Sequence, residues 1–114
     1  MPFSNLAPVA QSSINISEDV RNAKICATVS IPVAFVAPQI AANSNRATYS
    51  IYNAGPNPVF FREGATVTNG THESVIPVQH YWYPDPGEPR YLGPISLLGS
   101  GGVSSCQICE ATLA

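Results

Sequence analysis

The chain has 114 residues, enough for one domain with a modest core. Seven acids against five bases leave a net charge of -2, and only 11% of residues are charged, where about 25% is typical. There is no basic cluster to meet nucleic acid, and no apolar run approaches the ~20 residues of a membrane span.

Residues 1–20 read as an extended polar arm. Phe3, Leu6 and Val9 are its apolar residues, and the opening MPFSNLAPVAQSS has no basic leader or long apolar stretch. No secretory signal is expected, so the chain reads as made in a cytoplasm. Ser17 to Ala23 carries the best helix signal, with Ser17 as cap and two acids in the first positions. Residues 21–114 read as a single β domain. In residues 24–37, Ile25, Ala27, Val29 and Ile31 share one parity, while Cys26, Thr28 and Ser30 share the other. This is a half-buried strand up to Pro32, which ends it or places it at an edge, with a second strand expected over Val33 to Ala37.

Arg46 to Gly64 reads as a hairpin. Tyr49 and Ile51 point one way, and Thr48, Ser50 and Tyr52 the other. Residues 53–58 supply Gly/Pro/Asn turn chemistry, and Val59-Phe60-Phe61 is apolar on both faces. Asn69-Gly70 signals another hairpin. Val75 to Tyr83 reads as a strand with an aromatic end, then comes the proline-rich loop 84–89. Strands over 91–98 and 103–111, joined by residues 99–102, close the chain. Eleven prolines and eight glycines fit many short strands, and the fold expected is all-β: an antiparallel β-sandwich or small barrel of six to eight strands.

Chemistry is sparse. Cys106 and Cys109 form a CxxC, but on a strand the two side chains project to opposite faces. Cys26 has no CxxC partner, and an odd count without a secretory signal reads as free, reduced, buried thiols. His72 and His80 accompany no nucleophile and orienting acid. No catalytic residue, metal site or cofactor is expected. The sequons at Asn15 and Asn69 read as chance. Tyr81, Trp82, Tyr83 and Tyr91 form the densest aromatic patch. The reading is Trp82 in the core with the tyrosines over it; a protein contact or a sugar-stacking platform are the alternatives. So low a charge density fits a surface partly covered by neighbours.

The wording of Arg46, Tyr52-Asn53-Ala54-Gly55, Pro58-Val59-Phe60, then Tyr91, Ile95 and Ser100-Gly101, resembles a group of small tailed-phage virion proteins. The likeness runs from about Arg46 to Glu110. It departs at Gly101-Gly102, where the group has Gly-Thr, and in the insert from Pro84 to Pro89. The resemblance implies a non-enzymatic β-sandwich protein of the virion, a capsid decoration or cement protein on the outer shell. Its partners would be the major capsid protein and itself, as a homotrimer, with no nucleic acid and no membrane. Neck, head-completion or tail components are the alternatives within the virion, and a glycan-binding tip domain is another. Contacts with capsid or subunit are expected at Phe3, Leu6 and Val9 of the arm, and at Tyr83 and Arg90 flanking the proline-rich loop.

Overall fold

The computed structural model describes residues 20–114. Seven strands follow in order: β1 (Ile25–Ile31), β2 (Arg46–Gly55), β3 (Val59–Glu63), β4 (Ser74–Ile76), β5 (Tyr81–Trp82), β6 (Ile95–Gly99) and β7 (Ser104–Thr112). They form two sheets, β1-β7-β2-β5 and β4-β3-β6. Every paired neighbour is antiparallel. The all-β reading holds, and no helix occurs among the described residues.

The expected Arg46–Gly64 hairpin is not one. β2 and β3 do not pair: β2 lies in the four-stranded sheet and β3 in the three-stranded sheet. The turn between them carries the chain from one layer to the other. The same correction applies to the closing pair, since β6 and β7 also belong to different sheets. Turn residues announce a reversal, but they do not say whether the returning strand lies beside its predecessor or across the core from it. The turn after β2 needs Gly55, whose φ is +97° and whose next peptide bond, to Pro56, is cis. A Cβ there would lie 2.9 Å from Val78.

Three further expectations fail locally. Residues 33–37 form no strand. Arg21 pairs with Leu113 as an isolated antiparallel bridge instead of opening a helix. The strand read over 75–83 is two short ones, β4 and β5, in different sheets, and Gln79 between them takes φ +65°. The Asn69-Gly70 turn is present: Thr68 and Thr71 exchange two backbone hydrogen bonds across it.

The core lies between the sheets. Ile31, Tyr49, Ile51, Cys106 and Ile108 come from one layer; Val59, Phe61, Ile76, Ile95 and Leu97 from the other. Each fully buried aliphatic or aromatic side chain contributes about 1.5–3 kcal/mol relative to exposure. The alternation read in β2 is realised, with Tyr49 and Ile51 buried and Thr48, Ser50 and Tyr52 on the outer face. A register shift between Arg46 and Thr48 adds one residue to the strand, so Arg46 is buried as well, despite its opposite parity. Phe60 and Leu98 point away from the core into a hollow also lined by Val33, Phe35 and Val67.

Candidate assembly surface

The charged and amide side chains inside the protein hold the scaffold together. Arg46, 1% exposed, donates Nε–H to Glu110 Oε2 at 2.6 Å. Its remaining nitrogens donate to the carbonyls of Tyr91, Gly93 and Ala41. One planar guanidinium thereby ties β2, β7 and two loops, using donors that diverge in a plane. Asn53, fully buried, does the same at the other end of β2. Its amide donates to the carbonyls of Asn57 and Ile76, and its oxygen accepts from Gly55 N–H and Ser104 Oγ–H. With both amide donors and both acceptor sites taken within the protein, Asn53 has none left for a ligand.

Tyr49 hydroxyl donates to Glu63 and accepts from Trp82 Nε1–H. Burial, followed by the hydrogen bond to Glu63, raises the phenol above its ordinary range. Burial also raises Tyr91, whose hydroxyl donates to the Pro94 carbonyl. The two histidines stand apart: His72 stacks on Phe60, while His80 lies near the Val78 carbonyl. Among the described residues, no three His, Cys, Asp or Glu side chains converge in a way that would hold a metal ion.

The cysteines require a correction. Cys26 and Cys109 are joined by a disulfide that spans 83 positions of sequence, not free thiols as expected. They stand directly opposite each other in the β1–β7 pair. The opposed facing of the CxxC residues holds: Cys109 takes the outer face and Cys106 the core. Cys106 is the free, buried cysteine, and burial pushes its thiol up to about 12. The sequence gives no register between strands so far apart, so parity alone left the Cys26 partner open.

Two surfaces remain available for contact. The first is aromatic. Trp82 packs inward on Phe61, while Tyr81 stacks on Tyr52. Tyr81 and Tyr83 are 66% and 65% exposed, while Trp82 and Tyr91 are partly buried and pack against the core without entering it, so the inward facing read for Trp82 holds in part. Tyr83 lines a shallow hollow with Arg21, Lys24 and Tyr81. Arg90 is exposed, yet it is tethered, donating Nη1–H to the Arg46 carbonyl at 2.7 Å.

The second surface is β1 itself. It forms the edge of its sheet, and most of its length is exposed on both faces. Ile25, Ala27 and Val29, with Ile40 and Ile108, line a groove of about 500 Å³. Phe3, Leu6 and Val9 lie outside the described residues.

No protein-family model matches the chain, and no curated relative does. A solved structure of Bacillus endospore appendages, described as a novel family of disulfide-linked pili, aligns with 97% of this chain and 100% of its own. It is 17% identical, with a TM-score of 0.42, and at that level it carries no functional argument.

Sequence reasoning missed the importance of β1. Its parity was legible, and an edge position was one of the two readings of Pro32; that the edge stands uncovered was not legible.

Proposed function

We propose that this chain is a structural subunit of an assembled particle, of the kind that decorates the capsid of a tailed phage. The observation that carries the reading is the unguarded edge strand β1, with apolar side chains left in the open. A subunit that completes its burial against neighbours accounts for such an edge, and for the low charge of the chain. Weak contacts repeated over a shell sum to firm attachment. The residues of the recurring virion wording support the same reading. Arg46, Asn53 and Gly55 are scaffold residues, each engaged in holding strands and loops.

The disulfide bears on location. Cross-links persist outside reducing compartments, virion surfaces included. A chain made in a host cytoplasm would close Cys26–Cys109 on or after release. The expected partners are the major capsid protein and further copies of this chain, as a homotrimer.

The copy number of this chain in purified particles tests the reading. Copies on the scale of the capsomer junctions support decoration; a single ring's worth places it at the neck or tail; absence from particles refutes it. Deleting residues 1–12 is expected to leave the fold intact and empty the particle of this subunit. Unchanged occupancy would remove Phe3, Leu6 and Val9 from the contact.

A second reading rests on the Tyr52–Tyr81 pair beside exposed Tyr83, which offers aromatic faces for stacking a sugar. Glycan binding that disappears in Tyr83→Ala would favour it.

A further inference from the structure

The groove beside β1 has a shape and chemistry that name an occupant. The inward-facing residues of β1 are Ile25, Ala27, Val29 and Ile31, opposite Glu110, Ile108, Cys106 and Ser104 of β7. Burial along this row is uneven: Ile31 is 0% exposed and Ile25 is 79% exposed. The second sheet covers one end of β1 and stops short of the other, where Gln39, Ile40 and Ala41 form the far wall of the groove. The outward row, Cys26, Thr28 and Ser30, is small and polar. On its free side β1 meets no strand among the described residues. An added strand would therefore need apolar residues on one face and polar ones on the other.

Residues 10–17 have that pattern. Ala10, Ser12, Ile14 and Ile16 share one parity; Gln11, Ser13, Asn15 and Ser17 share the other. The segment contains no proline or charge. Eight residues extended span about 26 Å, against about 23 Å for the seven of β1. Antiparallel addition would place Glu18 and Asp19, just beyond the segment, near Arg21 and Lys24 at the start of β1. Parallel addition would place those acids at the uncharged Ile31 end.

We infer that residues 10–17 of a second copy of this chain add as an antiparallel strand to β1, seating Ile14 and Ile16 in the groove. For the chain's own segment to do so, the chain would have to turn back on itself. Arg21 is already paired with Leu113, so the chain runs along β7 from Arg21 onward. Returning to the free side of β1 would demand a reversal within only four residues, Ser17-Glu18-Asp19-Val20, where Ser17 and Asp19 are turn formers and neither glycine nor proline is present. So short a connection favours exchange between copies. Backbone hydrogen bonds supply the affinity, and the alternate isoleucines supply register. This inference shares the assembly reading above but does not depend on a capsid.

The test uses the full-length chain and its native mass. The wild type is expected to be oligomeric. Ile14→Asp/Ile16→Asp, which spoils the segment, and Ala27→Asp, which spoils the groove, are each expected to be monomeric. Both should retain the Cys26–Cys109 disulfide and the wild-type circular dichroism. Mixing the two variants restores one intact segment for one intact groove and should yield a 1:1 pair. A monomeric wild type overturns the inference, whether because the groove takes the chain's own segment or a different protein. Variants that keep the wild-type mass overturn it too, and so do monomeric variants that fail to pair on mixing. Variants that keep the wild-type mass and still bind particles would sink this inference and spare the decoration reading; pairing as expected by a chain that is absent from particles would do the opposite.

Discussion

Cys26 and Cys109 face each other across β1 and β7, and the bond between them fastens an otherwise exposed edge strand to the sheet. Closing so long a loop restricts the unfolded chain, worth about 4–5 kcal/mol on the chain-entropy account. The Cys26→Ser/Cys109→Ser variant, or the wild type with reductant, should lose stability on that scale in urea titrations. Hydrogen exchange should rise first in β1. A denaturation midpoint that does not move on reduction would show that the edge is held by its ladder alone.

Arg46 is a second fastening point. Arg46→Met would strand Glu110 without its cation and leave the carbonyls of Ala41, Tyr91 and Gly93 without their donors. Arg46 is buried but Glu110 is 29% exposed, so the loss should fall below the ~3–5 kcal/mol of a fully buried pair. Arg46→Lys should recover little, because an ammonium is a point charge and cannot span the same acceptors. If the lysine variant unfolds at the wild-type urea concentration, the planar fan of hydrogen bonds is not what matters.

Gly55 should resist substitution on two separate grounds. Alanine would meet Val78 and would also have to hold φ at +97°, a strained backbone worth about 1–3 kcal/mol. Val78→Ala in the same chain relieves the contact and leaves the backbone cost. The double variant should therefore regain only part of the loss in thermal melts. Full recovery would mean that crowding was the whole effect.

Alkaline pH should weaken the fold in a defined window. The Cys106 thiol is raised from 9.0 to about 12 by burial, and the Tyr49 phenol is raised in the same direction. Above about pH 9 the unfolded chain sheds these protons while the folded chain keeps them, so unfolding is favoured as pH rises. Stability should hold up to the ordinary thiol range and then fall towards pH 12. Cys106→Ala should flatten the early part of that fall. Alkylation of Cys106 should be slow in the native protein and rapid in denaturant; equal rates would contradict its burial.

The alternation of β2 was written in its side chains, because period-two patterning is a local property of a strand with one wet face; β1 carries the same parity but is buried only at its Ile31 end. Trp82 turned against the core, with Tyr81 and Tyr83 outside, follows from the same rule. The all-β class came from the proline and glycine punctuation together with that alternation. Three things needed the folded chain. The turns at 53–58 and 99–102 send strands into the opposite layer, a choice made by burial of Val59, Phe61, Ile95 and Leu97 against the first sheet. Cys26 meets Cys109 because β1 returns to pair with β7 across most of the chain, and pairing partners over such distances leave no local trace. β1 is open to a partner because the three-stranded sheet is too narrow to cover it, and only the packing of the two layers determines that width.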